Sequence, residues 1–189
     1  MKYYISDLHF CHKNILRFDE RPWFDLSSME DDLISLWNSK VGKNDDIYIL
    51  GDLCWGLAED WRRIIPKLHG RKHLIRGNHD LPKIPEDISK LFASISAYKE
   101  VKDNGYTVLM SHYPMVIYRH DVDPKVVMLY GHVHNTHEFE AIKAAIEAVR
   151  EFYKDSRYDY QGQLYNCWGG FFDWAPATLF EIMHNSRTH

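Results

Sequence analysis

Five short apolar stretches of this 189-residue chain run out into side chains that can bind a metal ion or move a proton. Tyr3 to Ile5 leads to Asp7 and His9; "YIL" leads to Gly51 and Asp52; "LIR" leads to Gly77, Asn78, His79 and Asp80. "VLMS" ends at His112, and "VMLY" leads to Gly131, His132 and, two residues on, His134. Taken singly, each has an ordinary explanation as a helix cap, a turn residue or a satisfied interior histidine. Together, drawn only from Asp, Asn and His and set off by glycine at three of the five ends, they point to one shared centre. Imidazole nitrogen with carboxylate and carboxamide oxygen suits Mn, Fe, Zn or Ni, and the lack of thiolates in the set argues against an all-cysteine structural zinc site.

The elements that must position these groups are legible around them. Lys2 to Ser6, Ile47 to Leu50, Lys72 to Arg76, Thr107 to Met110 and Val126 to Tyr130 read as strands, short and mostly apolar as strands buried on both faces are. Between the first two, "SSMEDDLISLWNSKV" offers a capping box of Ser27 and Glu30 ahead of a stripe of Leu33, Leu36 and Trp37, hence a helix. Glu59 to Leu68 reads as a second helix, and the alternation of strand and helix predicts an α/β fold with parallel pairing. "SISAYKEV" and "YTVLMSH" flank "KDNG", where Asn104 and Gly105 suit a type I′ turn, so an antiparallel hairpin is expected and the sheet system becomes mixed, of α+β type. Glu138 to Lys154 is an amphipathic helix with Ile142, Ala145, Ile146, Val149 and Phe152 on one face, and a last strand is expected over Gln163 to Trp168. In open α/β sheets ligands bind beyond the carboxyl ends of strands, where all five polar clusters fall.

The totals fit this reading. One domain over residues 1–189 matches the usual domain size, and 45% hydrophobic with 26% charged residues is a globular balance. No basic-then-apolar leader opens the sequence, and no run of about 18 apolar residues occurs, so neither export nor membrane anchoring is expected. Three widely separated cysteines without a CxxC pattern suggest reduced thiols and a cytoplasmic setting. A formal charge of −4 argues against an extended nucleic-acid surface.

The series D-x-H, G-D, G-N-H-D, H, G-H-x-H from Asp7 to His134 resembles the calcineurin-like metallophosphoesterase superfamily, with all blocks in the family's order. "DLHFCHKNILRFDERPW" and "DWAPATLFEI" further resemble a small bacterial and phage subgroup of uncharacterised predicted phosphoesterases. The resemblance implies two mixed β-sheets packed face to face with helices outside. It implies one metal on Asp7, His9 and His134, Asp52 bridging, and Asn78, His112 and His132 completing a second site. It further implies His79 as the catalytic group, and hydrolysis of a small phosphate ester, diester, monoester or nucleotide, by a hydroxide bridging two divalent ions. Two such ions about 3.5–4 Å apart need a shared ligand, which a carboxylate supplies. The alternative class is a non-catalytic scaffold, as in the retromer coat, although here every matching position is filled.

Several residues stay open between two readings. Asp80 orients His79 or caps the next segment. His12, Asn14, Arg17, Arg21 and Arg76 bind a substrate phosphate or are solvated polar residues. Trp23, Trp55, Trp168, Phe171, Phe172 and Trp174 stack a base or fill the core. Trp55 stands three after Asp52, where the protein Ser/Thr phosphatases of the superfamily carry Asp and its repair nucleases His, which weakens both as specific readings. The helical segment 138–155, inserted after the last two histidines, is expected to wall the pocket.

Overall fold

The computed structural model describes residues 1–189. Its first sheet has the order β1 (Lys2–Ile5), β2 (Asp46–Ile49), β3 (Arg71–Ile75) and β4 (Ser94–Ser96), all parallel. The second has the order β5 (Tyr98–Asp103), β6 (Tyr106–Ser111), β7 (Val126–Tyr130) and β8 (Leu164–Asn166), antiparallel at β5–β6 and parallel thereafter. Only the second sheet is therefore mixed through its own strands. In the first, antiparallel character is confined to a bridge between Tyr4 and Ala177 on the free edge of β1.

Alternation along the strands makes the layers. Tyr4, Tyr48, Leu50 and Ile75 from the first sheet meet Val108, Met110, Val127 and Leu129 from the second in one buried cluster, while Ile5, Ile47, Ile49 and Leu74 turn the other way into the core that holds the helices. Tyr4 ties the sheets by donating its hydroxyl to Asp103 at 2.9 Å. Helices α1 (Ile15–Phe18), α2 (Leu26–Lys40), α3 (Ala58–Ile64), α4 (Glu86–Ser89), α5 (His137–Tyr153) and α6 (Leu179–Met183) complete the chain. None is long and apolar enough to cross a membrane.

Four local expectations change. The hairpin forms, with Asn104 and Gly105 at φ 47° and 87°, but "SISAYKEV" divides at Ala97: β4 pairs with β3 in one sheet and β5 with β6 in the other. The cap of α2 is Asp25, which accepts from the Ser28 N–H at 2.8 Å; Glu30, expected to close the box with Ser27, points inward and binds the Cys11 N–H and the Arg63 guanidinium. The second helix ends at Ile64 and passes into a 3-10 turn at Ile65–Lys67, where Pro66 lacks an N–H. On α5, Phe152 is 79% exposed and Tyr153 takes the packed position, a choice that i+3 and i+4 spacing leaves open.

Candidate metal centre

The site lies where both sheets end. Beyond β1, the N–H groups of Asp7 and His9 donate to the carbonyls of Gly51 and Asp52, so the two loops travel together after the strands stop. The second sheet joins through Ser6, which donates to Cys167. Asp7, His9, Asp52, His132 and His134 all have left-handed backbones, with φ between 45° and 71°. That region is sparsely populated outside glycine, and Asp and His are among the residues that tolerate it. Five such residues in one place make a rigid cradle that re-aims each side chain across the sheet ends. Two glycines give the carboxylates room: a Cβ on Gly77 would lie 2.1 Å from the Asp52 Oδ1, and one on Gly131 2.6 Å from the Asp7 Oδ2.

Two triads capable of holding an ion result, Asp7 with His9 and His134, and Asp52 with His112 and His132. In the first, the Nε2 atoms of His9 and His134 face each other at 3.2 Å. His134 donates from Nδ1 to Asp19 at 2.7 Å, which turns Nε2 inward, and Nε2 lies 3.5 Å from the Asp7 Oδ1. In the second, His112 donates from Nδ1 to the Leu50 carbonyl at 2.8 Å, leaving the Nε2 lone pair 2.9 Å from the Asn78 Oδ1. Asp52 stands between them. Its Oδ1 accepts the His79 N–H at 2.8 Å, while its Oδ2 lies 3.7 Å from His9 Nε2 and 3.6 Å from His112 Nε2.

Convergent lone pairs at such distances repel unless a cation lies among them, and in a buried site they fit divalent ions. The protonation energetics say the same. Burial alone would lower the His134 pKa, but its hydrogen bonds to Asp19 and Asp7 overcome this and push the imidazole up to about 10, so a proton takes the cation's place. Burial pushes Asp52 up to about 7, His112 opposing and Asp7 adding to the rise. Asp7 is held well below the usual carboxylate range, its burial outweighed by His134 and the other imidazoles.

His79 sits at the rim, its ring 5.7 Å from His9 and 4.2 Å from the half-exposed Trp55 indole, on which His12 also stacks at 4.2 Å and 9°. Asp80 neither orients His79 nor caps a helix. It is buried and accepts N–H bonds from Asp52 at 3.2 Å, Leu53 at 3.0 Å and Gly77 at 2.8 Å, pinning the loop of Asp52 to that of Asn78.

The cations also sort themselves. Arg21 is buried and cannot meet a substrate: it donates to the carbonyls of Leu8 (2.6 Å) and Asp7 (2.9 Å), pairs with Asp19, and lies 4.2 Å over Trp174. Arg76 binds the carbonyls of Leu81 and Pro82. Arg17 lies over the Phe18 ring, and Asn14 precedes α1 without a capping bond; both are exposed. Trp23, Phe171, Phe172, Trp174 and Trp168 pack in or against the core, and Trp168 also lies parallel to His134 at 5.9 Å. None of residues 138–155 lines the cavity beside His134; only Asn135 and Thr136, ahead of α5, do.

Two neighbours escaped sequence reasoning. Asp19 lies 115 positions from the histidine it supports, in a stretch with no spacing signal. Tyr113, half-exposed, packs its ring 4.5 Å from His132, and only its position after His112 hinted at the site.

The sequence model of the calcineurin-like phosphoesterase family matches residues 3–168. An uncharacterised protein of Methanocaldococcus jannaschii is 34% identical over 137 residues, 71% of this chain and 70% of that protein. The Gene 66 protein of Mycobacterium phage L5 is 30% identical over 160 residues, 70% of this chain and 77% of that protein. The crystal structure of a protein of unknown function from Aquifex aeolicus superposes with a TM-score of 0.68 at 28% identity, covering 96% of each chain.

Proposed function

The chain belongs to the calcineurin-like phosphoesterase family, and on that premise we propose that it hydrolyses small phosphate esters with two divalent metal ions. One observation carries the reading: two sets of convergent donor atoms with the Asp52 Oδ2 within 3.7 Å of both. Asp7, His9 and His134 would hold one ion and Asn78, His112 and His132 the other, with Asp52 shared. When bound, the ions lower the pKa of a coordinated water and draw charge from the phosphoryl oxygens.

The chain's own residues do the remainder. Two carboxylates do not cancel the charge of two divalent ions, and Asn78 adds a donor without adding charge, so the centre attracts a phosphate anion. His79 stands over the first triad, where its imidazole protonates the leaving oxygen or donates a hydrogen bond to the phosphoryl group. Its backbone N–H on Asp52 and its ring on Trp55 fix it there. Asp80 holds the loops that carry the shared carboxylate and the second site's carboxamide in register.

The test is turnover of bis-p-nitrophenyl phosphate and p-nitrophenyl phosphate by Mn-loaded protein. Loss of an outer partner typically costs about 10- to 100-fold in metal affinity or activity, so loss of the shared ligand in Asp52→Asn should cost more than about 100-fold, with reduced metal content. His79→Asn should keep both ions and lose about 10²- to 10⁴-fold in rate. Full metal occupancy with no turnover of either ester would favour a non-catalytic scaffold instead.

A further inference from the structure

Beside the metal centre lies a second space that the chemistry above does not use. A cavity of about 320 Å³ opens next to His134, lined by Phe18, Asp19, Glu20, Asn135, Thr136 and Trp168. It lies on the Nδ1 side of His134, where Asp19 accepts from the imidazole and Trp168 lies parallel to it at 13°. Phe18, 61% exposed, meets His12 edge-on at 6.1 Å, so an aromatic rim runs from Trp55 through His12 to the cavity.

The lining differs in kind from the metal centre. It contains no lysine or arginine. The Asp19 carboxylate is engaged by Arg21 and His134, which leaves exposed Glu20, in a left-handed backbone at φ 50°, as the carboxylate open to an incoming group. A second phosphate would be repelled by Glu20. A purely apolar group would cover Glu20 and the Asn135 amide without bonding to them. What suits the rest is a group without negative charge that has a flat ring for Phe18 and hydroxyl or amino donors for Glu20.

We propose that this cavity binds the nucleoside portion of a nucleoside monophosphate ester whose phosphate lies at the metal centre. The assignment rests on the metal-dependent reading above, and it names the substrate class that reading leaves open. Phe18 and Glu20 are then the specificity-determining residues, one for the base and one against a further phosphate.

The test uses the Mn-loaded full chain and three ligands that resist hydrolysis, with binding measured by titration calorimetry. They are methylphosphonate, the phosphonate analogue of adenosine 5′-monophosphate with carbon in place of the bridging oxygen, and α,β-methylene adenosine diphosphate. The nucleoside phosphonate should bind at least about tenfold more tightly than methylphosphonate, as base stacking on an aromatic side chain implies. Phe18→Ala should bring that ratio close to one, and Glu20→Lys should raise the affinity for the diphosphate relative to the monophosphonate. A ratio near one in the unaltered protein, or a ratio that neither substitution moves, overturns the proposal. Nitrophenyl ester turnover, run in parallel, separates it from the parent reading. Turnover without nucleoside preference removes the cavity assignment alone. Nucleoside preference without turnover removes the hydrolase reading and leaves a nucleotide-binding site. Failure of all three ligands to bind fully loaded protein, together with no turnover of either nitrophenyl ester, removes both.

Discussion

The two halves of the candidate metal centre are built from similar ligands and held by different means. His134 in the first half is backed by a side-chain relay, with Arg21 on Asp19 and Asp19 on the imidazole, and the same guanidinium grips the carbonyls of Leu8 and Asp7. His112 in the second half is backed by the main chain, through the Leu50 carbonyl, and Asp52 by the N–H of His79. Main-chain support comes with the sheet and is available to any residue at that strand end. Side-chain support demands particular residues and places buried charges under the site, which is costly unless every member is paired. The first half should therefore be the more vulnerable to substitution outside the ligand set.

Arg21→Ala breaks this comparison most severely. It leaves Asp19 with the His134 imidazole as its remaining partner and takes the guanidinium donor from two loop carbonyls. Removing one partner of a buried pair costs about 3–5 kcal/mol, and that is the loss expected in the denaturant unfolding free energy. Arg21→Lys should recover only part, because a single ammonium cannot serve three acceptors with the planar geometry of a guanidinium. A loss below about 1 kcal/mol, the range of an exposed pair, would mean that water replaces Arg21 freely and that the first half is no more dependent on charge than the second.

Asp19→Asn sharpens the comparison with a smaller effect. The amide keeps the size but weakens the orienting bond to His134 Nδ1. Outer-partner substitutions reduce metal affinity by about 10- to 100-fold, and here the reduction should fall on the first ion alone. Stepwise Mn titration reads it: two affinities that fall together would show that the halves act as one unit through Asp52.

The same contrast explains what could be read in advance. Asp7, His9, Asp52, Asn78, His112, His132 and His134 announce themselves because unusual residue types recur at strand ends, and a strand end is visible in a short apolar run. The parallel pairings follow from the same runs. Asp19 and Arg21 give no such signal, since a carboxylate and a guanidinium at the end of a short helix look like solvated residues until the fold buries them. The role of Asp80 is not legible, because a carboxylate that accepts three N–H bonds from neighbouring loops cannot be distinguished in sequence from a helix cap. The division of residues 94–103 between two sheets was hidden for another reason: alternation specifies which face a residue presents, not which sheet it joins.

The smallest effect concerns protons, and it tests the comparison without changing the relay. Metal binding requires deprotonated ligands, so an ion must displace whatever proton its ligands hold. In the metal-free chain His134 is raised to about 10, with burial opposing the rise and the Asp19 and Asp7 hydrogen bonds driving it, so at neutral pH the first triad carries a proton there. His132 in the second triad is held below the usual imidazole range, by burial first and then by His112, and so gives up its proton more readily than a free imidazole. Asp52, pushed up to about 7 chiefly by burial, is common to both. Raising pH therefore strengthens binding of both ions through neutrality as Asp52 deprotonates, and above that point continues to strengthen the first while the second levels off. Variants that keep one triad each, His132→Ala for the first and His9→Ala for the second, allow the slopes to be measured separately. Between about pH 7.5 and 8.5 the first should gain close to tenfold per unit, as one displaced proton requires, and the second much less. Equal slopes would mean that Asp19 does not hold a proton on His134, and the distinction between a charge-supported half and a main-chain-supported half would fail with it.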